Sequence, residues 1–398
     1  MTTKAAMDVP SGFFGQPDSI GRLAGLLGAS CLTAMAATAI TPSMPAMSIA
    51  FGEIPNARLL SQFALTLPAL VIALTAAPVG ALVDSLGARK VLIGSALLFA
   101  LAGSVGLYAW SLPVLLISRA ILGLAIAGFS TGTLTLIGSL YAGDQRHRVV
   151  GLQGAASSFG GMIFLLLGGL LAAISWRLPF ATYLLALLLL PLFFIFLPKV
   201  RRQRDARTGG TDTFPVAWPQ VVLAYVSAFV GMILFYVIPV HLPFHLAANG
   251  VADPTLAGYA LSLCTFAGGT AAAFYSRVRR VMRPVSILAL AFVLIAVGQF
   301  LAVGGQYSMV LAGMAIAGCS TGLLLPTVNG LVLASTPGSK HGRFTGGVAT
   351  ALFLGQFVAP LSAGLADFLA GTTLLGTAAV AAFVALCLLL GRLLSRQG

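Results

Sequence analysis

The sequence predicts an all-α membrane protein with twelve transmembrane helices, arranged as two halves that share one plan. Hydrophobic residues make up 59% of the 398-residue chain and charged residues only 8%, and a soluble core of this size cannot bury so much apolar surface. Apolar runs of about 20 residues, each able to cross a hydrocarbon layer as a helix, recur along the chain. A ten-residue stretch of the first half also returns in the second.

The repeated stretch predicts an internal duplication. Residues Gly123 to Gly132 (GLAIAGFSTG) and Gly313 to Gly322 (GMAIAGCSTG) agree at eight of ten positions with an offset of 190, which is close to half the chain. Four residues before the two copies stand Arg119 and Met309. We therefore expect one half to carry a buried charge that the other half lacks.

Twelve apolar runs account for most of the chain. The predicted spans are 21–50, 57–83, 89–109, 112–141, 149–174 and 178–198 in the first half, and 217–245, 255–276, 284–304, 306–335, 344–368 and 372–394 in the second. The first ends in Thr41-Pro-Ser-Met-Pro45 and the seventh in Ile238-Pro-Val-His-Leu-Pro243. Prolines bend membrane helices where protein or a water-filled cavity satisfies the freed carbonyls, so these two helices either line a path between the halves or simply end at the outer interface.

The net charge of +13 reflects membrane topology and not nucleic-acid binding. If the spans alternate in direction, all of the 22 basic residues except Arg58, Arg119 and Arg177 fall on one side of the membrane. This bias is the positive-inside signal. We therefore expect both termini to be cytoplasmic and the protein to lie in the lipid bilayer of a bacterial-type inner membrane, with no nucleic-acid partner.

The sequence offers no sign of an enzyme active site, a cofactor or a metal centre. The four cysteines lie singly in separate spans without a CxxC pair, so they predict neither a disulfide framework nor a metal site. An enzyme in the bilayer would need a nucleophile, paired carboxylates or a metal cluster inside the membrane, and we find none. A non-transporting sensor on the same scaffold usually carries an added soluble domain, for which the tails are too short.

The loop between the second and third spans carries a motif. It reads Gly80-Ala-Leu-Val-Asp84-Ser-Leu-Gly87-Ala-Arg89-Lys90, with glycines for close helix approach and a tight turn, and a carboxylate beside two cations. It resembles the loop motif G-x-x-x-D-x-x-G-x-[RK]-[RK] of the major facilitator superfamily. The resemblance implies that Asp84 caps the amino terminus of the eleventh span, near 344–347, and latches the cytoplasmic side in the outward-facing state. A solvated turn with topogenic charges is the alternative.

Further marks of this family cover nearly the whole chain. WRLPF at 176–180 resembles its outer-side turn into the sixth helix, and AAFYSRVRR at 272–280 resembles a second copy of the loop motif without its carboxylate. The resemblance implies two six-helix bundles related by pseudo-two-fold symmetry. The predicted bundles are 21–198 and 217–394, the cytoplasmic linker is 199–216, and the cytoplasmic tails are 1–20 and 395–398.

Arg119 is the candidate residue with the strongest argument. It lies about 12 Å from the outer end of the fourth span, near mid-membrane, where a charge should face the interior and find a partner. The stretch Arg119-Ala-Ile-Leu-Gly123 resembles the family's R-x-x-Q-G motif, with Leu122 in place of Gln. The resemblance implies a role in proton coupling or anion recognition. The alternative is a structural arginine bonded to backbone carbonyls of the first span.

Few groups in the sequence suit proton coupling. All nine acidic residues fall on the cytoplasmic or the outer side and none in mid-membrane, whereas coupling commonly uses a buried carboxylate. The fifth span reads FLLLGG at 164–169 and lacks the Gly-Pro of the drug/proton antiporter branch. Histidine titrates in a useful range, so His241 and His245 at the outer end of the seventh span are either a relay or simply interfacial residues.

Uncharged polar and soft side chains in several spans are candidates for the wall of a central cavity, or for packing between helices. The predicted substrate and coupling residues are Met35, Thr38, Gln62, Arg119, Gln153, Tyr236, His241, Asn329 and Gln356, with Ser157 and Ser158 in a wider pool. This set suits an amphipathic or aromatic solute better than a sugar, which needs a denser set of hydrogen-bonding groups.

These observations and the resemblance together predict a secondary active transporter that works as a monomer by alternating access. Its predicted task is to export a small amphipathic organic compound, drug-like or metabolic, in exchange for protons. The alternative is an importer or facilitator of an anionic solute, such as a siderophore or an organic acid, with Arg119 as its anchor. The lack of a buried carboxylate favours that alternative.

Overall fold

Twelve helices of the computed structural model are long and apolar enough to cross a membrane, as the sequence predicts. The structure describes residues 17–36, 38–198, 215–337 and 340–394. Every regular element among these residues is helical. The predicted amino-terminal tail up to residue 16, residues 199–214 of the predicted linker and the tail 395–398 lie outside the described residues.

The spans follow one another through short turns, and several contain a 3-10 segment. In the first half they are span 1 (Pro17–Ala36, Thr41–Ser43 as 3-10 helix, Met44–Ala50), span 2 (Ala57–Leu86), span 3 (Ala88–Ser104, then Val105–Leu107 as 3-10 helix), span 4 (Leu112–Leu140), span 5 (Gly143–Ile174) and span 6 (Leu178–Leu188 as 3-10 helix, then Leu189–Phe196). In the second half they are span 7 (Trp218–Ala248), span 8 (Pro254–Val281), span 9 (Pro284–Ala302), span 10 (Tyr307–Ser335), span 11 (His341–Ala370) and span 12 (Thr373–Leu394).

The largest shift from the predicted ends is at span 5, which begins at Gly143 and not at 149. Residues 143–148, which the prediction left outside the helix, are mostly polar, so the apolar run used for the prediction did not include them. Asp144 lies in the first turn, where a carboxylate interacts favourably with the positive end of the helix dipole. Charged residues can therefore extend a membrane helix beyond its apolar run.

Proline has different effects in the two spans that open the halves. In span 1 the α-helix gives way to the 3-10 turn Thr41–Ser43 before Met44–Ala50 follows. In span 7 the α-helix continues without a break through Pro239 and Pro243. The first helices of the two halves are therefore less alike than their sequences suggest.

The letter-by-letter repeat does not mark structurally equivalent positions. Spans 4 and 10 are both 29 residues long and begin at Leu112 and Tyr307, so their offset is 195 (307 − 112) and not 190. A difference of five residues turns the face of a helix by about 140°. The repeated glycines of the two spans consequently face different neighbours.

Glycine contacts agree with the offset of 195. A β-carbon added to Gly123 would clash with the backbone of span 2 at Pro68, and one added to Gly318 would clash with the backbone of span 8 at Cys264. Spans 2 and 8 occupy corresponding places in the two halves, so Gly318 is the counterpart of Gly123. By the same offset, the counterpart of Arg119 is the buried Met314, which corrects the pairing with Met309.

The two halves meet at the end of the bundle that is remote from most of the basic residues. Span 5 packs on span 8, where a β-carbon added to Gly169 would lie 3.3 Å from Gly258. Span 2 packs on span 11, where the ring centroids of Phe63 and Phe357 are 5.5 Å apart. We call this the closed end.

The other end carries Arg89, Lys90 and most of the remaining basic residues, and we call it the basic end. Here Gly80 of span 2, Gly154 of span 5 and Gly346 of span 11 have no neighbouring described atom within 4 Å of an added β-carbon. The turns around these positions are largely exposed. The space between the halves therefore opens at the basic end.

Candidate functional site

A cavity of about 440 Å³ lies between the two halves. Its wall is built from spans 1, 2, 4 and 5 of the first half and from spans 7, 8, 10 and 11 of the second. Glycines let the helices approach closely at this depth, since a β-carbon on Gly269 of span 8 would lie 3.5 Å from Ser158 of span 5. A movement of one half against the other would therefore change access to the cavity.

The wall of the cavity is mostly apolar, with scattered uncharged polar groups. Its soft and aromatic side chains include Met232, Phe235 and Phe353. Its hydroxyl groups belong to Thr33, Thr38, Ser157, Ser158, Tyr236, Thr265 and Thr321, and its amide belongs to Gln356. None of the described residues that line it is an Asp, Glu, Lys, Arg or His. The cavity thus offers van der Waals contact and a few hydrogen bonds without a charged group.

The cavity brings together three of the residues predicted for it, namely Thr38, Tyr236 and Gln356. Arg119, Met35, Gln62, Gln153, His241 and Asn329 are not among its lining residues. Met35 is fully buried in the helix packing. The Asn329 amide donates to the carbonyl of Leu325 in its own helix (2.9 Å), so its polar group serves span 10.

Sequence reasoning missed three threonines of the wall, Thr33, Thr265 and Thr321. Each Oγ1 donates to a backbone carbonyl one turn earlier, over 2.9 to 3.0 Å. A threonine bonded within its own helix has no distinctive sequence signal, because the same bond forms in packed and in cavity-facing positions. The Gly268-Gly269 pair near Thr265 was the available hint, since paired glycines often mark close helix approach.

Arg119 is fully buried within the first half, away from the cavity. Its Nη2 donates to the carbonyls of Ala102 (3.2 Å) and Gly103 (2.6 Å) at the end of span 3. Its guanidinium lies over the rings of Phe180 and Tyr183, 5.0 and 4.9 Å from their centroids. These carbonyls belong to span 3, whereas the structural alternative expected carbonyls of span 1.

The change from α-helix to 3-10 helix at the end of span 3 explains why two arginines bind there. The α-helix stops at Ser104 and the 3-10 segment Val105–Leu107 follows, so the last α-helical carbonyls lose their regular partners. Arg177 approaches the next carbonyls, and its Nη1 donates to that of Ala109 (2.9 Å). Cations at a helix carboxyl terminus also interact favourably with the helix dipole.

Gln62 and His241 contact each other across the two halves. The Gln62 Nε2 lies 3.3 Å from the His241 Nδ1, and the side chains are only 2% and 4% exposed. Farther towards the closed end, the Arg58 guanidinium lies 4.9 Å from the centroid of the Phe244 ring. His241 follows the cavity residue Tyr236 by little more than one helical turn. Spans 2 and 7 are thus joined at the closed end, on the side that faces the cavity.

The loop motif lies at the basic end. Span 2 ends at Leu86, and Gly87 makes the turn into span 3 with φ 89°, a backbone conformation that favours glycine. Arg89 donates to the carbonyl of Phe194 at the end of span 6, which ties the loop to its own half. The latch between Asp84 and span 11 stays a prediction, because the basic end is open in this conformation.

Comparison with known sequences agrees with this architecture. The sequence profile described as Major Facilitator Superfamily matches residues 26–360. A stretch of 128 residues, 31% of this chain, is 31% identical to a proton myo-inositol cotransporter of Caenorhabditis elegans. The match spans only 21% of that protein.

Solved structures share the fold at low sequence identity. A D-xylose–proton symporter superposes with a TM-score of 0.74 and 16% identity, over 93% of this chain and 96% of that one. A bacterial homologue of the human lysosomal transporter Spinster, inward-facing and occupied, gives a TM-score of 0.70 and 16% identity over 88% and 82%. An inward-open xylose transporter from E. coli gives 0.71 and 18% over 93% and 95%.

Proposed function

This chain belongs to the Major Facilitator Superfamily and is a multi-pass membrane transporter, and from that premise we propose that it exports a small amphipathic organic compound by alternating access. The compound would bind in the cavity between the halves, and movement of one half against the other would transfer access from the basic end to the closed end. Protons would drive the exchange.

The observation that carries the proposal is the chemistry of the cavity wall. Met232, Phe235 and Phe353 supply soft and aromatic surface, and the polar groups are few and uncharged. Such a wall is typical of sites for amphipathic small molecules, which bury most of their surface and use a few hydrogen bonds for orientation. A sugar would need a denser set of hydrogen-bonding side chains.

The distribution of basic residues supports the orientation that we propose. Positively charged loops are retained in the cytoplasm, so we place the basic end there, in a bacterial-type inner membrane. The cavity then opens to the cytoplasm in this conformation, which is the state in which an exporter loads its compound and an importer releases it, so the proposal of export rests on the chemistry of the wall. Release would require the contacts of the closed end to part, including that of Gln62 with His241.

The position of Arg119 weighs against an anionic solute. That alternative needs a cation in contact with the bound anion, and Arg119 instead bonds the carbonyls of Ala102 and Gly103, away from the cavity. No other Arg or Lys is among the described residues that line the wall. An anion would lose its hydration shell there without a compensating charge.

A second candidate is proton-coupled uptake of a polyhydroxylated solute. The observation that favours it is the likeness to a proton myo-inositol cotransporter and to a D-xylose–proton symporter. The two candidates share the fold and the cavity and differ in substrate and direction. Gln356 is the one amide on the described wall, and its other polar side chains are single hydroxyls among apolar groups, which suits a compact apolar body with a few donors better than a polyol.

His241 is the group that we propose for proton coupling. It is titratable, nearly buried and placed at the contact between the halves, where protonation can act on the closed end. No Asp or Glu is among the described residues that line the neighbouring cavity. Coupling by His241 and transport of an amphiphile are separate proposals, because a facilitator would transport the compound without proton coupling.

The test is an untargeted comparison of medium and cell metabolites between cells that lack the protein and cells that overproduce it, repeated with a protonophore. We expect an amphipathic compound to accumulate inside the deletion strain and to leave the overproducer only while the proton gradient stands. A compound that stays in the medium of the deletion strain and enters the overproducer would replace export by uptake. If that compound were a polyol, the second candidate would be correct.

A further inference from the structure

Most hydroxyl groups of the cavity wall already donate a hydrogen bond to a backbone carbonyl. The Oγ1 atoms of Thr38, Thr265 and Thr321 each donate to a backbone carbonyl of their own helix at 3.0 Å. Thr33 does the same at 2.9 Å, and the Ser157 Oγ donates to the Ser30 carbonyl at 3.3 Å. A hydroxyl has one proton and two lone pairs, so these five oxygens can offer a solute lone pairs but no proton.

Three polar side chains of the wall can still both donate and accept a hydrogen bond. Ser158, Tyr236 and Gln356 line the cavity and make no hydrogen bond to the described part of the chain. Their hydroxyl and amide groups can therefore donate to a solute or accept from it. Counted together, the acceptors on the wall outnumber its donors, and no cation adds to the donors.

We propose that the cavity selects uncharged compounds that carry O–H or N–H donors on a compact apolar or aromatic body, and rejects carboxylates and donor-free analogues. This inference rests on the proposed function, because it assigns the substrate class of the same cavity. A donor group on the solute satisfies the lone pairs that water leaves when the solute enters. A solute without donors leaves those lone pairs buried and unpaired, and a carboxylate adds its own lone pairs to them.

Three naphthalene derivatives separate these cases because they share one ring system. 2-Naphthol carries a donor, 2-methoxynaphthalene carries the same oxygen without its proton, and 2-naphthoate carries a negative charge. Binding of each to the purified full-length protein in nanodiscs would be measured by equilibrium dialysis at neutral pH. We expect 2-naphthol to bind about tenfold more tightly than the ether, and 2-naphthoate to bind more weakly than both.

Variants of the wall locate the selectivity. Valine has nearly the shape of threonine without the oxygen, so the triple variant Thr38→Val, Thr265→Val, Thr321→Val should bind naphthol and ether with similar affinity. The serine variant Thr321→Ser keeps the oxygen and should keep the preference for naphthol. Thr327→Val is the matched control, because Thr327 is a buried threonine of span 10 that donates to the Leu323 carbonyl (2.6 Å) and does not line the cavity.

The possible outcomes distinguish this inference from the proposed function. Equal binding of naphthol and ether by the native protein, with both lost in Phe353→Ala, would overturn the inference and leave the cavity as the solute site. Tighter binding of 2-naphthoate would overturn the inference and restore an anionic substrate. If none of the three probes showed binding that depends on Phe353 or on the threonines, the inference and the assignment of the cavity as the solute site would both fall.

Discussion

Arg119 and Arg177 hold the same helix end. Arg119 donates to the carbonyls of Ala102 and Gly103, and Arg177 lies beyond it along span 3, where its strongest bond is to the Ala109 carbonyl (2.9 Å). Each guanidinium also stacks on aromatic rings, that of Arg177 on Trp176 at 4.4 Å. Arginine suits this position because one terminal nitrogen can donate to neighbouring carbonyls, as Nη2 of Arg119 and Nη1 of Arg177 do, while the planar face of the guanidinium stacks on rings.

Replacing Arg119 tests whether the charge or the hydrogen bonds are needed. Arg119→Lys keeps a buried charge and loses the planar guanidinium with its bonds to both carbonyls and its ring contacts, so we expect a destabilisation of about 3 kcal/mol. Arg119→Met adopts the residue of the counterpart position Met314 and removes the charge, leaving two carbonyls unpaired at a cost of about 1–2 kcal/mol. Thermal unfolding of the purified protein in nanodiscs should therefore rank native above Met and Met above Lys.

The same variants decide between a structural and a coupling role for Arg119. If the role is structural, Arg119→Met should retain transport per folded molecule, for every substrate tested. Higher transport by Arg119→Lys than by Arg119→Met would show that a positive charge is required. A loss confined to anionic solutes would support the alternative in which Arg119 binds an anion. Met314→Leu serves as the control for repacking at the matching depth of the second half.

The sequence was sufficient for the architecture and insufficient for the partners of its polar residues. Hydropathy predicted all twelve spans because a membrane helix must bury an apolar run of fixed length. Arg119 is buried as predicted, yet its partners are backbone carbonyls, which carry no sequence signature. Thr321 and Asn329 illustrate the same difficulty, since both bond their own helix and only the first faces the cavity.

Glycine substitutions test the close contact between spans 8 and 10. Gly318→Ala would place a β-carbon against the Cys264 backbone, and we expect a destabilisation of about 2 kcal/mol from overpacking. Gly94→Ala is the control, because that helical position is exposed with no neighbour within 4 Å, and alanine there should be neutral or slightly stabilising. Unfolding temperatures that fall equally in both variants would contradict the close contact between spans 8 and 10.

Gly80→Ala tests the proposed latch at the basic end. In the open conformation an added β-carbon at Gly80 has no neighbour within 4 Å, so the variant should fold with native stability. If spans 2 and 11 come together there in the closed state, the methyl group should oppose closure and favour the open state. Distances between spin labels at Leu86 and Gly342 should then shift towards the longer population. Unchanged distances in Gly80→Ala and in Asp84→Asn would remove the latch.

His241→Asn tests proton coupling at the contact between the halves. Neutral imidazole can accept the Gln62 amide proton at Nδ1, whereas the protonated ring is a donor at both nitrogens and pairs with Gln62 only when the amide turns to present its oxygen. Protonation should therefore rearrange the contact between spans 2 and 7 and so act on the closed end. We expect His241→Asn to reduce proton-driven transport to the level seen with a protonophore, while exchange of substrate for substrate continues.

The matched control for this prediction is His245→Asn. His245 lies one turn farther along span 7, and its Nε2 is 3.0 Å from the Ala302 carbonyl of span 9, within its own half. Because that bond does not join the halves, His245→Asn should keep the proton dependence of the native protein. Equal loss in the two variants would point to a general effect on the end of span 7, and full coupling in His241→Asn would require another proton carrier. Gln62→Leu adds a second test, since removal of the amide should favour opening of the closed end with His241 intact.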